Sequence, residues 1–397
     1  MNNYKIIEKI VEENDGILRL KPAFVARDFQ KTGKRLGLKD EDYYVGERGW
    51  ISERWLGATN TPKNRIGPED EGLSYLNIDS NLKVSLKDAV LIAAELILGK
   101  EYSKLHKSLG RLCKIFSFNN RSPYHYHQMA KDAMLIGSNG KDEAYYFPED
   151  LDVGLQPETF FGVHPYIVDQ KKFEILLPYL EDWNSDLILK HSRAYLQVPG
   201  EGFHLPAGIL HAPGTAATIE IQEESDVFSM VQALVSGKII PKDYLYNAVS
   251  PVEREKYKER IVLKQLDWEE NGDPYFYENH RLTPKFVEET KQKGGEEYWI
   301  YYNTTKFSGK KLIVKPNCVF KSMDNGVYNI FVLKGKGSFN GCSIEAGNFV
   351  YDELLICHDR AIRPFDIKNT GTEDLVIIKF FGPDINKNIP YIDKYKA

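Results

Sequence analysis

Between residues 112 and 231 the hydrophobic positions fall in short runs that match the length of β-strands. Segments rich in Gly, Pro, Asn and Asp separate these runs at strand-length intervals, a rhythm typical of an all-β sandwich or barrel. One helical insert is expected around residues 170–183. The strands are predicted at residues 112–118, 144–147, 194–198 and 217–221.

The same β pattern returns after residue 298 and continues almost to the end of the chain. Several glycines between the apolar runs supply tight turns. This spacing predicts a second β region. Its strands are predicted at residues 311–314, 328–333, 348–351 and 375–381.

Helical patterns precede and separate the two β regions. Ser85 can cap a buried helix that ends at Gly99. Residues 237–296 are charged, and an amphipathic helix is predicted over 251–270 after a Ser-Pro start. A further helix is predicted to begin at 283–284 and to end at a Gly-Gly pair. Two β regions are therefore expected to flank a helical connector.

Composition narrows the class of protein. The 397 residues are too many for one ordinary core, and 42% hydrophobic with 12% aromatic residues argues against disorder. The net charge of −5 is spread without basic tracts, so we expect neither nucleic acid nor a membrane as partner. The four cysteines form no C-x-x-C pair, and the first residues lack the apolar run of a signal peptide. We expect a cytoplasmic protein with a small-molecule partner.

The first candidate site is a closely spaced pair of histidines, His125 and His127, with Glu143 sixteen positions later. Alternate residues of a strand face the same side, so an H-x-H pair directs both imidazoles into one barrel. Glu143 begins a plausible next strand and can bring a carboxylate alongside them. An H-x-H pair alone is weak evidence for a metal site, because two histidines on a strand often lie on the surface by chance.

A second motif strengthens this interpretation. Gly200, Pro206, Gly208 and His211 form the pattern G-x5-P-x-G-x2-H, which predicts a turn, a strand and a second tight turn that presents one histidine. Three imidazoles and one carboxylate suit one divalent ion, with zinc expected and manganese, iron, cobalt or nickel as alternatives. Such a set leaves coordination positions open for substrate, as catalytic metals require.

These motifs resemble those of the cupin superfamily, and in particular class I mannose-6-phosphate isomerase. The resemblance covers most of the chain from about residue 40 to 385. It implies a mainly β bicupin, meaning two jelly-roll barrels, with a helical connector. It also implies an N-terminal segment and metal-binding cupin over 1–236, a connector over 237–297 and a metal-free cupin over 298–397. The segments that carry the resemblance are 46–52, 141–146, 205–212 and 219–226.

The resemblance implies metal-dependent aldose–ketose isomerisation of a sugar or sugar phosphate through a cis-enediol. Glu220 lies nine residues after His211, where the family carries a glutamate considered for acid–base work. It is our candidate for moving the proton, although a strand carboxylate that only hydrogen-bonds a ligand is an equal alternative. Lys141 matches a family lysine near the sugar and is the candidate for stabilising an oxyanion.

The chain also departs from the family at two positions that matter. His125 stands where the family usually has glutamine, and Met230 stands where it has an arginine that can bind phosphate. Phosphate recognition is therefore open, and a free sugar is a real alternative substrate. A metal-containing cupin that binds a sugar or regulatory ligand without turnover is the rival to an isomerase. A third interpretation, an Fe²⁺ dioxygenase, rests only on the histidine-rich ligand set.

Overall fold

The computed structural model describes residues 3–78, 82–150, 152–291 and 293–396. Within these residues the protein is mainly β, with antiparallel sheets joined by short helices. This agrees with the β-strands that the sequence predicts on both sides of a more helical segment.

The first β region contains most of the predicted strands with bounds that differ by a few residues. The strands in the first half of the described chain are β1 (Ile17–Lys21), β2 (Ala23–Arg27), β3 (Trp50–Leu56), β4 (Tyr75–Leu76), β5 (Arg111–Phe116), β6 (His125–Tyr126), β7 (Glu143–Tyr146), β8 (Glu158–Phe161), β9 (Arg193–Leu196), β10 (Gly202–Leu205), β11 (His211–Ala212), β12 (Thr218–Glu223), β13 (Ser229–Met230), β14 (Leu234–Val235) and β15 (Lys238–Ile239).

The second β region follows the connector. Strand β16 (Arg281–Leu282) still pairs with β10 of the first β region. The described strands of the second β region are β17 (Lys285–Phe286), β18 (Glu296–Tyr301), β19 (Ser308–Val314), β20 (Val319–Ser322), β21 (Tyr328–Lys334), β22 (Lys336–Phe339), β23 (Cys342–Glu345), β24 (Glu353–Ile356), β25 (Phe365–Asn369) and β26 (Leu375–Phe381).

Two sheets of the first β region enclose the candidate site. The larger has seven strands in the order β16-β10-β7-β12-β5-β3-β2, and the smaller has five in the order β13-β6-β11-β8-β9. Aromatic side chains from both sheets, among them Phe116, Tyr145, Phe161 and Phe203, pack in one buried cluster between them. The two sheets therefore face each other across a shared interior.

Alternation along the strands decides which side chains enter that interior. Ile219 and Ile221 of β12 lie in a buried cluster with Trp299 and Phe380 of the second β region. Glu220 lies between them in sequence, so its side chain points to the opposite face of the sheet. The seven-stranded sheet is covered on both faces, which explains why its strands are hydrophobic except at isolated charged positions.

The remaining large sheet has eight strands in the order β17-β18-β19-β26-β21-β24-β1-β4, and a four-stranded sheet, β20-β25-β22-β23, packs on it. Strand β1 from the N-terminal segment pairs with β24, with Ile17 opposite Ile356. The N-terminal segment thus contributes to the core of the second β region. The division of the chain at residues 236 and 297 stays a prediction.

The helices are short. Ser85 caps the predicted N-terminal helix, because its hydroxyl accepts a hydrogen bond from the Asp88 amide, but the helix is interrupted at Ala93. No helix in the described ranges is both long and apolar enough to cross a membrane. The described α-helices are α1 (Asn3–Glu13), α2 (Leu86–Ile92), α3 (Ala94–Leu98), α4 (Lys100–Leu105), α5 (Ala130–Ala133), α6 (Pro165–Asp169), α7 (Leu177–Asp182), α8 (Pro251–Tyr257), α9 (Arg260–Gln265), α10 (Trp268–Gly272), α11 (Phe276–His280) and α12 (His358–Ala361).

Prediction of one continuous helix over 251–270 is wrong. The start is right, since Ser250 caps α8 by accepting a hydrogen bond from the Glu253 amide. Lys258 then takes a positive φ of 48°, which ends α8, and Asp267 caps a separate helix, α10. The chain bends at these points, so three short helices replace the single amphipathic one.

Two further element predictions are wrong for a similar reason. The helix expected from residue 283 is replaced by β17 and a short 3-10 turn, because β17 pairs at the edge of the eight-stranded sheet. The strand expected at 348–351 is a turn, in which the Asn348 carbonyl accepts a hydrogen bond from the Tyr351 amide. In the first segment pairing with a neighbouring strand overrides local preference, and in the second a hydrogen bond within the turn does so.

Candidate metal centre

The three predicted histidines lie side by side on the five-stranded sheet. His125 of β6 is directly opposite His211 of β11, and His127 is the residue that immediately follows β6. The ring centroids of His125 and His211 are 4.1 Å apart, and one ring nitrogen from each of the three histidines lies within 4.8 Å of the others. Sheet register therefore brings together the two motifs that the sequence holds far apart.

Backbone carbonyl groups orient all three imidazoles in the same way. Nδ1 of His125, His127 and His211 lies 2.7, 2.7 and 2.9 Å from the carbonyl oxygens of Pro123, Val227 and Ile209, respectively. A carbonyl oxygen can only accept, so Nδ1 carries the proton and Nε2 presents a lone pair. Such outer hydrogen bonds are the usual means of fixing the tautomer of a metal-binding histidine.

Glu143 completes the predicted set from the opposing sheet. It is the first residue of β7, and its carboxylate oxygens lie 2.9 Å from Nε2 of His127 and 3.0 Å from Nε2 of His211. The lone pairs of these two Nε2 atoms therefore face the lone pairs of the Glu143 carboxylate at short range, which is repulsive. Nε2 of His211 has no hydrogen-bond partner in the described residues. A positive ion relieves this repulsion. The donor set of three imidazoles and one carboxylate therefore fits a divalent cation.

Burial controls the protonation of these ligands. It lowers the pKa of His125 well below the usual value and, together with the charge on Lys141, lowers the pKa of His127 to about 3. Burial alone would raise the pKa of Glu143, but the charge on Lys141 holds that pKa well below its usual range. Neutral imidazoles and an ionised carboxylate are the forms that bind metal.

Lys141 and Glu220 line the same pocket as His125, His127 and Glu143. His211 adjoins this group, because its Nε2 lies 3.0 Å from the carboxylate of Glu143. Lys141 Nζ lies 2.9 Å from Nε2 of His127 and 3.2 Å from the carboxylate of Glu143. Glu220 is directly opposite Tyr145 of β7 on one side and Lys114 of β5 on the other. All six residues predicted from the sequence therefore meet in one place.

Four charged residues that the sequence interpretation missed extend this site. Arg27 binds Glu53 through two hydrogen bonds of 2.7 and 3.1 Å, and it also contacts Asp226 at 3.2 Å. Lys114 Nζ lies 3.3 Å from Glu220. Lys114 interrupts the apolar run of β5 at an inward position, which was the one signal that could have identified any of these residues. A charge in a buried strand is costly unless it has a partner.

Glu220 has an unusual environment for a carboxyl group. One of its oxygens, Oε1, makes no hydrogen bond within the described chain despite the nearby lysines. Burial raises the pKa of Glu220 to about 8, with Lys114 opposing the rise and Glu143 adding to it. A carboxyl group with a raised pKa is a stronger base once ionised.

We expect the Glu220 carboxyl to titrate near pH 8 in the metal-free protein, protonated below and ionised above that pH. A divalent cation nearby neutralises Glu143 and favours the ionised form, so added Zn²⁺ should shift the titration to lower pH. Carboxyl-labelled glutamate followed by NMR measures both, with the Glu220→Gln variant assigning the signal. Titration near the ordinary value of about 4.3 in the metal-free protein would contradict this.

The pocket encloses about 480 Å³ between atoms, including its open mouth. Met230 lines this pocket and is the direct cross-strand neighbour of His125. Arg121, Lys190 and Arg193, the other cations considered from the sequence, are absent from the lining in the described residues.

Comparisons with known proteins agree with this picture of the fold. No family model and no curated protein sequence matches the chain. Solved structures do match it, among them the mannose 6-phosphate isomerase of Bacillus subtilis, with 16% identity, a TM-score of 0.58 and coverage of 92% of this chain and 99% of that one. The chain has the fold of the mannose-6-phosphate isomerases.

Two further isomerase structures have similar scores. A mutant of phosphomannose isomerase from Salmonella typhimurium shows 11% identity and a TM-score of 0.61, covering 93% of this chain and 100% of that one. A zinc-bound mannose 6-phosphate isomerase shows 12% identity and a TM-score of 0.61 over the same shares of the two chains. The fold that the resemblance in the sequence motifs implies is thus confirmed as that of the mannose-6-phosphate isomerases.

Proposed function

We propose that this protein is a metal-dependent aldose–ketose isomerase that acts on a sugar or sugar phosphate. The observation that carries this proposal is the convergence of His125, His127, His211 and Glu143 on one point beside Glu220. We further propose that the fold is a bicupin with a helical connector, that the ion is zinc, and that the protein works in the cytoplasm. The neighbours with this fold are mannose-6-phosphate isomerases, one of them zinc-bound.

His125, His127 and Glu143 line the same pocket as Glu220 and Lys141, so an ion that they hold would lie close to both side chains. A divalent ion held there supplies positive charge for sugar oxygens as the neighbouring carbon loses its proton. The carbonyl hydrogen bonds to the three imidazoles keep their Nε2 atoms aligned before substrate enters. Glu143 also accepts a hydrogen bond from the Tyr145 hydroxyl, which limits its rotation.

Glu220 is the proposed base that moves the proton between adjacent carbons. Its Oε1 atom is buried and makes no hydrogen bond in the described chain, although Lys114 Nζ lies 3.3 Å from it, and the residue lies between Lys114 and Tyr145 on the pocket wall. Lys141 lies 3.9 Å from Glu220 and can stabilise negative charge on a substrate oxygen. Proton removal, return and charge stabilisation can thus all be supplied from one face of the seven-stranded sheet.

The test is incubation of the zinc-loaded protein with sugars and sugar phosphates in D₂O. Deuterium at C2 of an aldose, together with ketose formation, is expected. Replacing Glu220 with glutamine should lower kcat by roughly 10²–10⁴-fold, the usual contribution of a general base, while metal content is retained. The surface variant Glu101→Gln is the matched control and should behave as the unaltered protein.

Two results would count against the proposal. No exchange across a broad panel of sugars, with zinc bound, would reject isomerase activity. If sugars raised the melting temperature of the same sample without any exchange, the protein would be a metal-containing sugar-binding cupin instead. Oxygen consumption by iron-loaded protein would indicate a dioxygenase.

A further inference from the structure

Every cationic side chain that lines the pocket is already paired with a carboxylate. Arg27 binds Glu53 and Asp226, and all three are buried. The other two cations are paired in the same way, since Lys114 faces Glu220 at 3.3 Å and Lys141 faces Glu143 at 3.2 Å. Each lining cation in the described chain thus has a carboxylate within 3.3 Å, and among them only Lys141 is assigned to a substrate oxygen, at the reacting carbons and not at a phosphate.

The rest of the lining is apolar apart from the hydroxyl groups of Ser122 and Tyr145. The Tyr145 hydroxyl already donates to Glu143, and the Ser122 amide donates to the Pro213 carbonyl, which leaves only the Ser122 hydroxyl as a neutral donor among the described lining residues. The apolar members of the lining are Phe29, Phe116, Phe118, Pro213, Phe228 and Met230.

Several of these apolar groups lie next to the metal ligands or next to one another. Met230 is the cross-strand neighbour of His125, so its thioether lies beside the ligand set. Phe228 lies two residues before Met230, and its ring centroid is 6.1 Å from that of Phe29. A ligand whose reacting carbons approach the histidines therefore has an apolar wall along its remaining atoms.

Phosphate is a poor fit to such a wall. A buried dianion needs several charged or amide donors, commonly the forked guanidinium of arginine, and it is strongly destabilised without them. Met230 supplies no donor, and the Ser122 hydroxyl supplies one. An uncharged sugar has no such requirement, because its C–H faces pack on aromatic rings and its hydroxyl groups can use the ionised side chains opposite.

We propose that the substrate is an unphosphorylated aldose or ketose, held with its apolar face against Phe29, Phe228 and Met230. This inference rests on the proposed isomerase function and narrows it. Discrimination comes from the absence of unpaired donors in the described lining: a phosphorylated sugar must either break an existing ion pair or leave its own charge unpaired.

Comparison of mannose and mannose 6-phosphate as substrates and as ligands tests this proposal. With zinc-loaded protein, kcat/KM should be at least about 100-fold higher for mannose, the scale of discrimination expected when a charged group has no partner. Calorimetric titration measures binding of the two sugars independently of turnover. The variant Met230→Arg adds a donor beside the pocket and should strengthen binding of the phosphorylated sugar at least about tenfold.

Met323→Arg is the matched control, because Met323 is exposed and lies outside the pocket. It should not alter the preference between the two sugars. Should Met230→Arg fail to fold, the comparison in the unaltered protein still decides the question.

The outcomes separate the two proposals. Turnover of mannose alone supports both. Turnover of mannose 6-phosphate alone, or tighter binding of it, overturns the uncharged-substrate inference and leaves the isomerase proposal standing. In that case Arg65→Ala would identify the phosphate site, since Arg65 packs on Tyr244, whose ring contacts Phe29. Binding of mannose without turnover supports the inference and rejects the isomerase, whereas neither binding nor turnover of any sugar rejects both.

Discussion

The His211→Ala variant is expected to lose its metal. His211 is 1% exposed and is held by the Ile209 carbonyl with Nε2 toward Glu143 and His127. Outer hydrogen-bond partners alone change metal affinity by about 10–100-fold, so loss of a direct ligand should weaken zinc binding by at least about 100-fold. Elemental analysis after dialysis, with a competing chelator to measure affinity, gives the result. The unaltered protein should retain about one ion per chain.

A surface histidine provides the control for that experiment. His358 is partly exposed and pairs only with the exposed Asp359 among the described residues, so His358→Ala should keep its full metal content. Added zinc should also raise the melting temperature of the unaltered protein and of this control, because a ligand that binds only the folded state stabilises it. Equal zinc affinity in His211→Ala and the unaltered protein would remove His211 from the ligand set.

The Arg54→Met variant is expected to lose about 3–5 kcal/mol of unfolding free energy, the usual cost of removing one partner from a buried ion pair. Arg54 of β3 donates two hydrogen bonds of 2.7 Å to Asp352 and one of 3.2 Å to Glu353, and all three side chains are buried. This contact joins the seven-stranded sheet to the eight-stranded sheet. Methionine keeps the apolar stem but leaves two buried carboxyl groups without their cation.

The loss should depend on pH in a defined direction. Burial raises the pKa of Glu353 to about 7 even though Arg54 opposes the rise. A carboxyl group whose pKa is raised by folding binds more protons in the folded state, so stability falls as pH rises from the unfolded pKa to the folded one. Without Arg54 the folded pKa rises further. The difference between variant and unaltered protein should therefore be larger at pH 8 than at pH 6.

Urea denaturation at the two pH values measures both effects. Arg254→Met is the control, because Arg254 pairs with Asp243 on the surface, where such pairs contribute about 0–1 kcal/mol. A loss for Arg54→Met as small as that of the control would show that the two sheets are held together by their apolar contacts alone.

The candidate metal site was predictable from sequence because its ligands lie in two compact motifs. An H-x-H spacing places His125 and His127 on one side of an extended segment, and the glycine pattern in the sequence predicts the turn before His211. Gly208 indeed takes a φ of +89°, and its amide donates to the His127 carbonyl, so the turn ties the two motifs together. Local geometry was enough to predict these residues as a group.

Several helices were less predictable, because their ends depend on partners outside the segment. The apolar spacing over 251–270 is consistent with one helix, yet the Asp267 amide donates to the Gly208 carbonyl and starts a new one. That hydrogen bond comes from the turn that presents His211. Sequence periodicity carries no information about such a distant carbonyl group, so the helix boundary could not be predicted.

Local sequence patterns were enough to predict the β-rich organisation and to nominate the four candidate metal ligands, because strand alternation and tight turns are local properties. The charged side of the pocket, formed by Arg27, Glu53, Lys114 and Asp226, became apparent only from the folded chain. Pairing among β2, β3, β5 and β12 brings these charges together from distant parts of the sequence. The tertiary structure also placed Met230 beside His125 and joined β1 to the second β region. Charges are tolerated in a buried strand only when a partner faces them, and that partner is set by sheet register.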